Sequence, residues 1–369
     1  MRRGKQIRYA VVGLGHIAQT AVLPAFRHAR RNSTLAALVS DDPEKLAQLS
    51  RRYDVDLVYS YDEYDECLRS GEVDAVYIAL PNNLHRDFAV RAARAGVHIL
   101  CEKPMAVTAA DCRAMIRAAR DNRVKLMVAY RLHFEAANLK AVEIAKSGKI
   151  GDTRLFHSVF AMQVKEENIR TQAELGGGTL YDLGIYCINA ARYIFQAEPY
   201  EVLAASARSD DPRFQEIDEM TSAVLRFPEN RLAVFSSSFG GADASMYEIV
   251  GTRGKLRLEP AYEYAMGLNH ELTVSGKTTK RHFPKRDQFA AELLYFSNCV
   301  QKNLQPEPSG EEGLADVGII EALYQSAATG RAVALRSIAR RRRPTMRQEI
   351  KRPAIPRPPE LVHAESASG

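Results

Sequence analysis

The chain of 369 residues is 46% hydrophobic and 26% charged, enough apolar material for two buried cores and too mixed a composition for a disordered or fibrous protein. Its formal net charge of +6 is concentrated in Arg340, Arg341, Arg342, Arg343, Arg347, Lys351, Arg352 and Arg357, so the body is close to neutral and presents no nucleic-acid footprint. Cys67, Cys101, Cys112, Cys187 and Cys299 are odd in number without paired spacing, which argues against a disulfide framework or metal site; no segment reaches the roughly 20 apolar residues of a membrane span, and no export-type apolar stretch follows Arg2 and Arg3, so a cytoplasmic protein is expected.

In chain order, "IRYAVV" at 7–12 is a β-branched run leading into Gly13, Leu14, Gly15, His16, Ile17 and Ala18 and then a helical pattern. A strand, G-x-G-x-x-A and a helix form the dinucleotide-binding fingerprint: Gly13 for the tight turn, Gly15 for close approach to a pyrophosphate, and a helix N-terminus facing the anion. Further apolar strands at 34–40, 73–81, 97–104 and 124–130 alternate with helix-like stretches, which predicts a Rossmann domain over 1–130 with a doubly wound parallel sheet. The second strand ends at Ser40, where NAD-specific chains carry an acid; with Lys45 nearby this favours NADP, while Asp41 leaves NAD possible. Ligands bind outside the carboxyl ends of such strands, so Leu80, Pro81, Asn82 and His85, and then Glu102 and Lys103, are expected at the nucleotide. A lysine directly after "ILC" must have its charge paired or solvated, which makes Lys103 the first catalytic candidate.

From residue 154 the pattern becomes consecutive strands joined by turn signals, which predicts an α+β domain over 131–338 with a large, open, mainly antiparallel sheet. The segment 178–195 and helices at 286–303 and 311–329 are expected to cover one face, and the open face suggests a homodimer or homotetramer. Within "GGGTLYDLGIYCINAARY" the fourfold spacing puts Asp182 and Tyr186 on one helix face, continued by Asn189 and Tyr193, while Leu180, Leu183, Ile185 and Ile188 pack elsewhere. The preceding glycines would let backbone approach a bound nicotinamide. Taken alone, the pair is equally a first-turn acid and a core aromatic. Arg131 and His133 in "YRLHF" either touch cofactor or sugar or stabilise the joint between domains. Residues 339–369 form a basic, proline-rich tail expected to lie extended on the body or a neighbouring subunit.

"CEKP" at 101–104, read with "GGGTLYDLGIY" at 176–186, resembles the Gfo/Idh/MocA oxidoreductase family, and "DAVYIALPNNLH", "CEKPMAVTAADC", "YRLHF" and "DLGIYCINAARY" are similar in order to its glucose-fructose oxidoreductase branch. The likeness runs from about residue 7 to residue 336. It implies an NADP-dependent oxidoreductase that moves a hydride between C1 of an aldose, or a related sugar or carbonyl, and a nicotinamide. Tyr186, where many members carry histidine, is similar to the aldose-oxidising and dihydrodiol dehydrogenase branches. A phenol in water ionises only near pH ~10, so a tyrosine base needs a neighbouring cation; the resemblance makes Lys103 that cation, with Asp182 holding the sugar or orienting the tyrosine, and Arg170 a second candidate cation.

Overall fold

A computed structural model describes residues 6–336, 343–357 and 359–368. They divide into two units, the first drawn from 1–131, 286–314 and 350–366 and the second from 132–285, 315–349 and 367–369. The chain leaves the first unit after residue 131 and returns to it twice, at 286–314 and 350–366. Arg340, Arg341 and Arg342 of the basic run lie outside the described residues.

The first unit is built on β1 (Ile7–Val12), α1 (Leu23–Ala29), β2 (Ser33–Val39), α2 (Pro43–Tyr53), β3 (Leu57–Tyr59), α3 (Tyr64–Arg69), β4 (Ala75–Ile78), α4 (His85–Arg94), β5 (His98–Cys101), α5 (Ala109–Asp121) and β6 (Leu126–Val128). Its strands pair in the order β3-β2-β1-β4-β5-β6, all parallel. Tyr9–Val12 of β1 and all of β4 are fully buried, as strands covered on both faces must be. Strand order reverses at β1 and β4, where an open parallel sheet forms its ligand crevice. The helix starts are coded locally: Asp42 accepts from the amides of Glu44 and Lys45 ahead of Pro43 in the first turn of α2, and Thr108 accepts from Asp111 N ahead of α5.

The second unit contributes α6 (Ala136–Lys146), β7 (Thr153–Ala161), α7 (Ile185–Phe195), β8 (Glu201–Ala207), β9 (Met220–Phe227), β10 (Arg231–Ser238), β11 (Ala244–Gly251), β12 (Gly254–Leu258), β13 (Leu268–Val274) and β14 (Lys277–Phe283). With a short β15 (Val333–Ala334), placed below, its sheet runs β14-β13-β12-β11-β7-β10-β9-β8-β15 and is antiparallel throughout except for the parallel pair β7·β10. Alternation sorts the faces: Phe156, Leu225, Phe235 and Ile249 are buried, while Leu155, Leu203, Met220 and Leu232 point outward and are at least one-third exposed. The π-turn Leu180–Gly184 and α7 pack on the buried face, against β7 and β10.

After β14 come α8 (Gln288–Gln301), α9 (Gly310–Thr329) and β15. The expectation that the 286–303 helix covers the antiparallel sheet is corrected: α8 packs on α1, β1 and β2 of the first unit. Its polar side chains choose that site. Ser297 Oγ lies 2.7 Å from Tyr9 Oη and 2.8 Å from Ser33 Oγ, and Asn32 Nδ2 donates to the Leu294 carbonyl at 2.9 Å.

One buried group ties stability to pH. His270 of β13, 4% exposed, sits with Nε2 3.0 Å from the Ala137 carbonyl, and burial, aided by the charges of Arg281 and Lys140, pushes its pKa down to about 4. The unfolded chain takes up that proton below about pH 6.5, the native ring only near 4, so protons favour unfolding and stability drops as pH falls through that window, by at most about 3 kcal/mol. A His270→Gln variant, which keeps an amide donor for Ala137, is expected to flatten the acid limb of a melting-temperature profile measured between those pH values.

Candidate active site

The glycine turn has the geometry that a dinucleotide needs. Gly13 adopts φ 89°, donates its N–H to the Val39 carbonyl at 3.0 Å, and leaves no room for a side chain, since a Cβ there would stand 2.5 Å from the Ala79 carbonyl oxygen. A Cβ on Gly15 would meet nothing within 4 Å, so the space above it is open. That cradle and the helical turn beginning at Ala18 fit a pyrophosphate. Because Gly15 carries no packing duty, Gly15→Ala is expected to leave the melting temperature unchanged and to weaken nucleotide binding at least about tenfold, as read by calorimetric titration. His16 and Ile17 are half-buried beside the turn, whereas Leu14 is only 2% exposed and contributes backbone alone.

At the end of β2, Ser40 is 3% exposed and its Oγ accepts from Asp42 N at 3.2 Å. Lys45 Nζ is held 3.7 Å from Asp42 Oδ2. Asp41, the residue that left the choice of nucleotide open, accepts from Tyr61 N at 2.7 Å. At the next strand ends, Pro81 and Asn82 are half-buried and Leu80 is buried. His85, expected at the nucleotide, is fully buried and acts as a clamp: it sets Nδ1 2.9 Å from the Pro104 carbonyl and Nε2 2.9 Å from the Leu80 carbonyl, tying together the loops after β4 and β5.

That clamp steadies the segment bearing Glu102 and Lys103, both half-buried. Glu102 Oε1 accepts from Tyr77 Oη at 2.7 Å and Oε2 from Lys103 N at 3.2 Å, while burial raises its carboxyl above the usual range. Behind it stands Glu292 of α8, fully buried, with neither carboxylate oxygen hydrogen-bonded; burial and the Glu102 charge keep it protonated well above the ordinary carboxyl range. Arg131, expected at the nucleotide, is 6% exposed and donates to Gln288 Oε1 at 2.7 Å in this same interior cluster.

In the second unit the Asp182/Tyr186 question has a direct answer. From Leu180 to Phe195 only Asp182, Tyr186 and Ala190 escape full burial, at intervals of four, so one narrow stripe of an otherwise sequestered helix reaches solvent. Asp182 Oδ2 accepts from Arg170 Nε at 2.7 Å, and Asp182, Tyr264 and Tyr186 all act electrostatically on the Arg170 guanidinium. The Tyr186 ring is set edge-on to Phe160 and tilted against Tyr262, with centroids 5.5 and 5.8 Å away. The three glycines shape the loop that carries Arg170. Gly177 and Gly178 donate to the Gln172 and Arg170 carbonyls, and a Cβ on Gly177 would stand 2.4 Å from the Arg170 carbonyl oxygen, so the loop lies flat enough to deliver the guanidinium.

Asn189 and Tyr193 do not extend the stripe. Asn189 Nδ2 donates to Asp316 at 2.7 Å, and Tyr193 Oη pairs with Nε2 of the buried His133. Arg192, fully buried, pairs with Asp316 and with Glu198 at 2.6 Å, and Arg343 joins Glu198 at 2.6 Å. Tyr264, Tyr77, Glu292 and the Arg192 group carried no signal in the sequence, because each acquires its meaning from a partner distant along the chain.

Residues 7–130 match the family described as oxidoreductase, NAD-binding Rossmann fold, and residues 138–257 match the GFO/IDH/MocA C-terminal domain. The chain belongs to the Gfo/Idh/MocA oxidoreductases. Among its Gfo/Idh/MocA relatives, D-xylose 1-dehydrogenase [NADP(+)] of Haloarcula marismortui is 32% identical over 340 residues, covering 89% of this chain and 93% of that one. The crystal structure of aldose-aldose oxidoreductase from Caulobacter crescentus, complexed with glycerol, is 37% identical with a TM-score of 0.86, covering 90% of this chain and all of that one. A 3-ketoreductase from Actinomadura kijaniata, in complex with TDP-benzene and NADP, is 26% identical with a TM-score of 0.80, over 87% and 98% of the two chains. As a Gfo/Idh/MocA member the protein is an NAD(P)-dependent oxidoreductase.

Proposed function

We propose that the protein oxidises C1 of an aldose with NADP as acceptor. The observation that carries this reading is the stripe of Asp182 and Tyr186, the polar groups of α7 and its preceding turn that reach solvent, with a guanidinium already seated beside them. When bound, the nicotinamide supplies the hydride acceptor. Tyr186 takes the proton of the C1 hydroxyl, so the hemiacetal carbon becomes the carbonyl of an aldonolactone. A tyrosine base calls for a cation, a role assigned here to Lys103, whose backbone loop is held by the His85 clamp and by Glu102, and to Arg170 through the Asp182 ion pair. Asp182, held beside Arg170, is assigned to a sugar hydroxyl.

NADP is preferred over NAD because Ser40 stands where an acid would read a free ribose and Asp41 is committed to the Tyr61 amide. The outward apolar residues Leu155, Leu203, Met220 and Leu232 suit association through the open sheet into a homodimer or homotetramer. Five buried free thiols suit a reducing compartment, and the cytoplasm is the proposed setting; among the described residues no helix is long and apolar enough to cross a membrane.

A panel of aldoses and keto-sugars, assayed with NADP and NAD by the absorbance of the reduced nicotinamide, tests the reading. Lactone formation from an aldose, faster with NADP, is the expected result. Turnover confined to keto-sugars or diols points to the reductase and dihydrodiol readings, and nucleotide binding without turnover of any substrate points to a nucleotide sensor; either overturns the proposal.

A further inference from the structure

The C-terminal segment makes a specific dock on the first unit. Val362, 5% exposed, donates its N–H to Gln19 Oε1 at 2.8 Å and accepts at its carbonyl from Gln19 Nε2 at 2.8 Å, so a side-chain amide is paired on both edges, as a strand residue would be. The same Nε2 donates to the Leu14 carbonyl at 2.8 Å, and Gln19 is fully buried. The contact therefore reaches directly into the glycine turn. Two residues earlier, the Glu360 carbonyl accepts from Arg52 of α2 at 2.6 Å. One residue later, His363 adopts φ 43°, an uncommon backbone state for a side chain other than glycine, and places Nδ1 3.0 Å from Asp42 Oδ2, the oxygen that also faces Lys45 Nζ.

These four residues thus run between α2 and the turn after β1, past the end of β2, where a Rossmann domain reads the adenosine half of its nucleotide. An inert tail would need none of these contacts. Asp42 is central to the arrangement: one oxygen caps α2, and the other collects a lysine from the nucleotide fold and an imidazole from the tail. Asp42 Oδ2 thereby gathers Lys45 Nζ and His363 Nδ1 at one place beside the end of β2.

We propose that residues 359–366 are part of the nucleotide site, a strap over the adenosine end in which His363 joins Ser40 and Lys45 in recognising the ribose 2′-phosphate. This rests on the NADP reading given above. The segment lies far from the fingerprint in sequence, and what it adds is selectivity and slow release.

Three measurements on the full chain and two variants test it. His363→Ala, an exposed substitution, is expected to weaken NADP five- to tenfold in calorimetric titration while changing NAD less than twofold. A chain ending at residue 357 is expected to bind both nucleotides more weakly and to release NADP at least tenfold faster in stopped-flow displacement. Amide exchange at Val362 in the wild type is expected to slow when NADP is added. If the wild type prefers NADP but His363→Ala and the shortened chain bind and release it identically, with exchange at Val362 unmoved, the strap is overturned. If the wild type shows no preference for NADP, the underlying reading fails, and the strap's 2′-phosphate role with it.

Discussion

Tyr186→Phe is expected to lower kcat about a thousandfold with KM changed only a few fold. General acid–base catalysis contributes roughly 10²–10⁴, and removing one hydroxyl from a ring held between Phe160 and Tyr262 leaves its packing in place. Binding of NADP in the variant should match the wild type, because the proposed role of the residue is on the sugar and not on the nucleotide. Lys103→Met is expected to lose activity on the same scale but, if its proposed part is to supply the cation for the base, to show a displaced pH profile in whatever turnover remains. Arg170→Met separates the two cations: a smaller loss in kcat with a raised KM follows if its main duty is to hold Asp182 in place. Steady-state kinetics on the sugar identified by the substrate panel provide the measurement. A Tyr186→Phe enzyme within tenfold of the wild-type kcat would place the base elsewhere.

The largest loss of stability is expected from Asp316→Ala. Arg192 is fully buried with its guanidinium shared between Asp316 and Glu198, and Asn189 donates to the same aspartate. Removing Asp316 leaves a buried charge half-compensated and an amide donor without its acceptor, a change that costs about 3–5 kcal/mol in comparable sites. Urea denaturation followed by circular dichroism reads the midpoint shift. The double variant Arg192→Met with Asp316→Leu is expected to recover much of the loss, because a desolvated ion pair is stabilising only relative to its broken form. If the single variant costs under about 1 kcal/mol, the network is less desolvated than its burial indicates.

Much of this was legible in one dimension because it is encoded locally. The β1 turn needs Gly13 at positive φ and open space above Gly15, and the fourfold spacing of Asp182 and Tyr186 needs only helical periodicity to bring them onto one stripe. The errors came from pairings distant along the chain. α8 is buried at nearly every position from Gln288 to Cys299, so its pattern shows that it is covered without showing by which sheet, and the decision rests on Ser297 meeting Tyr9 and Ser33. His85 and Arg131 stand at the right strand ends for a ligand but face inward, toward Pro104 and Gln288. Gly177 is required where the chain passes its own Arg170 carbonyl, a contact that the glycine run alone does not reveal. In each case the residue type was informative and the partner was not.

The passage of α8 back to the first unit governs how the protein can be made. A nascent chain that has emerged as far as β6 holds all six strands of the first sheet yet exposes the side of β1 and β2 that α8 will cover, and it stays so until all of β7 to β14 has been synthesised. Chaperone demand during translation should therefore peak across that interval. For the same reason, grafting this nucleotide-binding module onto another oxidoreductase requires transplanting its later helix as well, because a chain cut after β6 leaves the α8 face of β1 and β2 bare.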